Sequence, residues 1–204
     1  MLMFESLRKD AQRYYVIEGG REYLPFVQKI RVIIEAYGFH TIAIYRYGQW
    51  LQSLSVPDFL SAIKGILMFS YKILNYLMKK MYGISISSEA SIAAGFYIGH
   101  FGGICIGPCR IGKNCSVHQQ TKIGSAIANH EDMHPPVIGN NVWIGAHVII
   151  ENDVSIGDNT AIGAGAVVKK SVEEHCLVSG NPARIINKNY NAITLLGTTE
   201  RNQL

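Results

Sequence analysis

A parallel β-helix preceded by a small helical region is the fold this 204-residue chain predicts, and three features of its second half carry the prediction. Small branched aliphatics recur every sixth residue: Ile86, Ile92, Ile98, Ile104, then Ile111, Val117, Ile123, then Ile138, Ile144, Ile150, Ile156, Ile162, Val168. Glycine follows the aliphatic at Gly99, Gly112, Gly124, Gly139, Gly145, Gly157 and Gly163. Asparagine, which also enters left-handed backbone cheaply, stands in corner-like contexts at Asn114, Asn141, Asn152 and Asn159. A period of six suits neither an α-helix nor a lone strand. It suits a solenoid in which three hexapeptides form one triangular coil of about 18 residues. One coil alone cannot bury its apolar face, so each aliphatic points inward and stacks on its counterpart one coil away. The glycines are expected at the corners, as positive-φ residues.

Residues 1–84 lack the hexapeptide and show helical periodicity, punctuated by Pro25 and Pro57 into three or four helices, the last capped by Ser55 or Asp58. The stretch from Phe59 to Met81 carries Lys64, Lys72, Lys79 and Lys80, and its longest uncharged run, Gly65 to Tyr71, falls far short of the roughly 20 residues a membrane span needs. Its apolar positions, Leu60, Ile63, Leu67, Ile73, Leu74 and Leu77, lie near helical spacing and are expected to pack against another helix. A basic helix lying on a membrane surface is the alternative. The β-helix is expected over 85–188, with a closing segment that contains Gly180-Asn181-Pro182-Ala183-Arg184, and a polar, mobile tail over 189–204. Two irregularities interrupt the repeat: one extra residue between Ile104 and Ile111, and a fifteen-residue step from Ile123 to Ile138. The second implies a loop, 124–137, thrown out from a coil corner, a common mounting place for specificity.

Composition narrows the function. Charged residues are 17% of the chain with a net charge of +4, and the lysines and arginines are dispersed, so no nucleic-acid partner is expected. Cys105, Cys109, Cys115 and Cys176 have no CxxC spacing and read as structural thiols in a reducing compartment rather than metal ligands. Charged residues follow Met1–Phe4 at once, so no secretion leader is expected and the location is expected to be cytoplasmic.

Of seven histidines, His100, His118, His130 and His134 sit near the two irregularities. An imidazole is the usual group for deprotonating a hydroxyl near neutral pH. His100 lies in Ile98-Gly99-His100-Phe101-Gly102-Gly103, where the glycines let a ligand approach closely. His100 is therefore the expected general base.

The segment 99–186 resembles the hexapeptide-repeat acyltransferases, and in particular the serine O-acetyltransferases. Three matches carry the resemblance: His100-Phe101-Gly102-Gly103-Ile104-Cys105-Ile106-Gly107, Asp132-Met133-His134-Pro135, and the closing turn Gly180-Asn181-Pro182-Ala183-Arg184-Ile185. A fourth, in the helical region, is Gly38-Phe39-His40 with Tyr45-Arg46, Gly48 and Trp50-Leu51, so the likeness extends over about residues 30–187. The resemblance implies a left-handed β-helix, an acetyl-CoA-dependent O-acetyl transfer, and a homotrimer with active sites in the grooves between neighbouring β-helices. It implies His100 as the base, the backbone N–H of Gly124 as the oxyanion donor, and His118, Asp132 and His134 facing the acceptor. The pantetheine arm would pass Gly145-Ala146 and Gly163-Ala164, with Lys169, Lys170 and Arg184 near the CoA phosphates. No metal is implied.

The chain also departs from that family. Where the serine enzymes carry an aspartate fifteen residues before the histidine, here Ser85 stands; where they carry one directly before it, Gly99; where they carry an arginine before the loop histidine, Met133. Free serine is a zwitterion that needs opposite charges for its ammonium and carboxylate. A neutral acceptor, such as a sugar hydroxyl of a surface-polysaccharide precursor, is therefore the preferred expectation, and serine the alternative. Two other classes stay open: a zinc enzyme built on interfacial histidines, and a non-catalytic scaffold.

Overall fold

The computed structural model describes residues 2–20, 24–124 and 134–196. Four α-helices come first: α1 (Leu2–Ile17), α2 (Phe26–Glu35), α3 (Tyr37–Ser53) and α4 (Ser61–Tyr82). From Ile84 the chain winds into a β-helix with three parallel faces. The first face stacks Ile84–Ile86, Ile104–Ile106, Lys122–Ile123, Ile149–Ile150 and Val167–Val168. The second stacks Ser91–Ile92, Arg110–Ile111, Val137–Ile138 and Ser155–Ile156. The third stacks Tyr97–Gly99, Ser116–His118, Trp143–Ile144, Ala161–Ile162 and Leu177–Ser179, and is closed by the antiparallel strand Arg184–Asn187.

All thirteen aliphatics of the repeat are buried, none more than 6% exposed. The register corrects one of them. Ile86 pairs with Ile106, not Ile104, and Ile106 pairs with Ile123; Ile104 sits opposite Ile84 at the strand's start. The added length therefore lies at the corner that follows Ile98, the corner that holds His100.

The corner chemistry also differs from expectation. Of the seven glycines that follow an aliphatic, only Gly124 has positive φ. The others answer to crowding between coils: a Cβ on Gly112 would lie 2.5 Å from the Gly139 carbonyl oxygen, and one on Gly157 2.4 Å from the Glu174 nitrogen. Left-handed corners are instead held by side chains that bond along the stack. Asn114, Asn141 and Asn159 all have φ near 55° and form a ladder, Asn114 donating to Asn141 (3.3 Å) and Asn141 to Asn159 (3.0 Å).

The first coil has no coil beneath it, and the helices cover that end. Buried Asp10 of α1 pairs with Arg46 of α3 at 2.9 Å and accepts from the Gly95 and Phe96 N–H groups at 2.7 and 2.8 Å. Arg46 donates in turn to the Ile92 and Ala93 carbonyls. The Tyr14 hydroxyl bonds both backbone groups of Ile98, and the Tyr45 hydroxyl takes the Ile92 N–H and donates to Ala90. Gly38 permits the approach: a Cβ there would lie 2.3 Å from the Ile98 carbonyl oxygen.

Three further expectations are corrected. Neither Ser55 nor Asp58 caps α4: a 3-10 turn, Asp58–Leu60, leads into it without a side-chain cap. The apolar stripe of α4 packs inward only in part: α4 lies against α3, with Tyr71 buried on Gly48 and Leu60 and Leu67 half-buried, while Ile63, Ile73, Leu74 and Leu77 face outward. Residues 189–196 are not a free tail. Ala192 and Leu196 are fully buried, and Arg13 donates to the Leu196 carbonyl at 2.9 Å.

Removing one partner of a buried, hydrogen-bonded ion pair strands the other charge, at a cost of about 3–5 kcal/mol. Arg46→Ala is expected to lower the free energy of unfolding by that amount in urea titration. An unchanged midpoint would show that the Asp10–Arg46 contact does not cap the solenoid.

Candidate active site

His100 sits at the corner between the third and first faces, with left-handed backbone (φ 64°). Such a conformation recurs at other non-glycine residues of the coils, His147 and His175 among them, and neighbouring residues hold it in place. They do so here from both sides. Ile98, two residues earlier, is clamped by the Tyr14 hydroxyl, and Gly102, two residues later, donates to the Tyr82 carbonyl at 2.9 Å and accepts from the Gln120 N–H. The ring of Phe101 packs edge-on against Tyr37 at 5.3 Å, and Tyr37 lies 5.2 Å from Tyr82. His40 of the helical motif braces this cluster: Nε2 donates to the Ile33 carbonyl at 2.8 Å, so Nδ1 accepts from the Tyr82 hydroxyl at 3.2 Å.

A cavity of about 210 Å³ opens beside His100, lined also by Phe101, Tyr37, Tyr14, Glu18 and Glu35. Glu18 accepts a 2.6 Å hydrogen bond from the Tyr97 hydroxyl, whose pKa burial raises, with a further push from that carboxylate. Glu35 pairs with Arg31 at 2.9 Å on the exposed side of α2. Sequence reading missed both carboxylates. They come from the turn after α1 and from α2, more than sixty residues upstream of His100, and no local spacing announces them.

His118 is brought next to this corner, one coil on. It pairs in register with Gly99, and its half-buried ring rests on Trp143 at 4.9 Å. Its Nδ1 lies 2.9 Å from the Ile144 carbonyl, which only accepts, so Nδ1 carries the proton and neutral His118 presents a lone pair at Nε2. Burial lowers its pKa, opposed by that hydrogen bond and aided by the nearby His100. A Cβ on Gly99 would fall 2.9 Å from His118 Cδ2 and 3.1 Å from Nε2. The imidazole thus fills the space that a side chain at position 99 would need.

The register carries this edge upward from Gly99 through His118 to Gly145 and Gly163. Crowding keeps it narrow: a Cβ on Gly145 would meet the Ala164 nitrogen at 2.8 Å, and one on Gly163 the Ser179 side chain at 2.8 Å. Gly145, Ala146, Gly163 and Ala164 therefore line the same corner as His100.

The remaining expected residues lie elsewhere. Gly124 and Lys169 are at the opposite edge of the first face. The Gly124 N–H, the expected oxyanion donor, donates to the Ile150 carbonyl at 2.9 Å in the coil ladder. Lys169 pairs with Glu151 at 3.2 Å. His134 is on this edge too, held to Asp153 through both its backbone N–H (2.8 Å) and Nδ1 (3.2 Å), beside a groove of about 760 Å³ that includes Arg110 and Glu89. Arg184 is exposed on the closing strand. Asp132 and His130 fall outside the described residues. The structure of one chain thus gathers His100 and His118 but leaves His134 across the width of the first face. Among the described residues no three His, Cys, Asp or Glu side chains converge as metal ligands.

Residues 135–170 match the model of the bacterial transferase hexapeptide family (six repeats). The serine acetyltransferase of Synechococcus elongatus is 30% identical over 150 residues, 73% of this chain and 57% of that protein, so the chain spans little more than half its length. That of Bacillus pumilus is 29% identical over 191 residues, 92% of this chain and 79% of the relative. The crystal structure of serine acetyltransferase in complex with coenzyme A from Brucella abortus superposes with a TM-score of 0.73 at 26% identity, over 92% of this chain and 69% of that one.

The depressed pKa of His118 has a consequence for stability. The unfolded imidazole, with a pKa of about 6.5, binds its proton more readily than the folded one, so stability rises with pH through this range. His118→Asn is expected to flatten the fall in stability below about pH 6.5. Urea titrations at pH 5 and pH 8 test this, and an equal drop in wild type and variant would remove His118 as its source.

Proposed function

From a chain that is a hexapeptide-repeat, serine-acetyltransferase-like protein, we propose an enzyme that transfers acetyl from acetyl-CoA to the hydroxyl of a small acceptor. The observation that carries this reading is His100, held in left-handed backbone, lining a cavity at the foot of a narrow, small-residue edge. His100 takes the proton of the acceptor hydroxyl as its oxygen attacks the thioester carbonyl carbon. The tetrahedral intermediate then collapses, the C–S bond breaks, and the proton passes to the departing CoA thiolate. Base catalysis of this kind accounts for about 10²–10⁴ in rate. Acetyl-CoA, the co-substrate, would lie with its pantetheine arm along Gly145-Ala146 and Gly163-Ala164, where a larger side chain would close the edge. Arg184, exposed near the top of the β-helix, is suited to its phosphates. Lys169 is less suited, standing at the opposite edge of the first face from that arm. A homotrimer would set the His134 edge of one copy against the His100 edge of the next and complete the site.

Serine is the acceptor the comparisons favour over the sugar expected from sequence, since the whole-chain relatives are serine acetyltransferases. Glu18 and Glu35 support it physically. They place carboxylates in the His100 cavity and so offer the ammonium a partner that Ser85 and Gly99 do not. One observation keeps the sugar hydroxyl as a second reading: His118, neutral and half-buried, fills the space beside Gly99 where the serine enzymes carry an aspartate.

Thiol release from acetyl-CoA, measured with L-serine beside a panel of sugars and nucleotide-sugars, separates the readings. Turnover that falls by about 10²–10⁴ in His100→Ala is expected whichever acceptor is used. With serine as acceptor, Glu35→Gln is expected to raise KM about tenfold, the loss of one charge-assisted contact, while turnover with a sugar alone and indifference to Glu35→Gln would establish the second reading. Release unaffected by His100→Ala would sink the mechanism.

A further inference from the structure

The face of α4 that the sequence led one to expect inside a helix bundle is turned outward. Ile63, Ile66, Phe69, Ile73, Tyr76, Leu77 and Met81 are all exposed, Ile66 and Phe69 by 68% and 64%. At 100° per residue, Ile63, Ile66, Ile73, Leu77 and Met81 fall within an arc of about 80°, which Phe69 and Tyr76 widen on one side. Just beyond Tyr76 on that side come Lys72 and Lys79, and Lys80 stands within the stripe with its ammonium over the Tyr76 ring at 5.7 Å. All three lysines are exposed. The fourth, Lys64, is drawn off to the Leu54 carbonyl.

The charge pattern identifies what this face meets. Between Asp58 and Glu89 the chain has no acidic residue. A symmetric contact between α4 helices of two copies would bring lysines together with no carboxylate from either helix. A helix with one broad apolar face, flanked only by lysines whose stems can lie along that face while the ammoniums reach outward, is complementary to an anionic phospholipid surface. No described helix is long and apolar enough to cross a membrane, so the contact is one of lying on the surface.

We propose that α4 is a membrane-surface helix, which seats Ile66, Phe69, Ile73 and Leu77 at the acyl boundary of an anionic bilayer while Lys72, Lys79 and Lys80 engage phosphate headgroups. The C-terminal end of α4 is bonded to the His100 corner through the Tyr82 carbonyl and the Gly102 N–H, so docking would hold that corner close to the bilayer.

The test uses the full chain and two kinds of vesicle, phosphatidylglycerol mixed with phosphatidylcholine, and phosphatidylcholine alone. Wild type is expected to sediment with the anionic vesicles only, and to be released as salt rises. A Lys72→Ala/Lys79→Ala/Lys80→Ala variant is expected to partition on the order of a hundredfold more weakly, and Ile66→Ser/Phe69→Ser/Ile73→Ser to lose sedimentation, each with an unchanged circular dichroism spectrum. Absence of sedimentation by wild type overturns the proposal. So does an apolar variant that still binds vesicles, or one that changes the particle mass in solution without lipid, since a second copy then covers the face. None of these variants alters His100 or its cavity, so failure here leaves the acyl-transfer reading untouched.

Discussion

An open end is the constraint on which the rest of this structure depends. In a solenoid every coil hydrogen-bonds to its neighbours, and the first coil has a neighbour on one side only. Left bare, its backbone groups would be either a template for another chain or buried without partners, at about 1–3 kcal/mol each. Here side chains from the helices satisfy four N–H groups and five carbonyls between Ala90 and Ile98. Asp10 and Arg46 stand at the centre, both buried, each bonded to the other and to the coil. The helical motif around Gly38, Tyr45 and Arg46 is thereby explained as capping chemistry. Its influence reaches the site, since the Tyr14 clamp on Ile98 is two residues from His100.

The inward aliphatics were legible because burial imposes a strict period, and a period survives in a sequence without any knowledge of the partners. Register at the irregular corner was not. Ile104 and Ile106 are both buried, and only pairing with Ile86 and Ile123 decides that Ile106 belongs to the column. The glycines were placed correctly but for another reason, clearance between coils at Gly112 and Gly157 instead of positive φ, because a sequence shows where a side chain is missing and not what would have struck it. The outward face of α4 was illegible for a related cause: an apolar stripe has the same period whether it meets a helix or a surface. Residues 189–196 misled through polarity, although Ala192 and Leu196 are the two that matter for packing.

At the site, the irregular, glycine-rich corner that holds His100 was legible. Glu18 and Glu35 were not, because the fold alone brings helices α1 and α2 over the corner. The exchange at Gly99 and His118 shows how composition at one coil answers to the next. In a β-helix the residue one coil on is a contact neighbour, so a side chain at 99 and an imidazole at 118 compete for one volume. With glycine at 99 and a neutral imidazole at 118, the carboxylates that line the His100 cavity come from the helical region.

The straightness of the solenoid has a further consequence. Each corner builds one edge that runs the length of the molecule, and residues at different corners cannot approach each other because the packed core of isoleucines lies between them. His100 and the small residues above it occupy one edge; His134, Asp153 and the groove beside Arg110 occupy another. No loop movement within the described coils reconciles the two. A reaction that draws on both His100 and His134 therefore needs two copies side by side, the edge of one facing the edge of the other. Rigid coils would suit that division, since each edge holds its side chains in register over several layers.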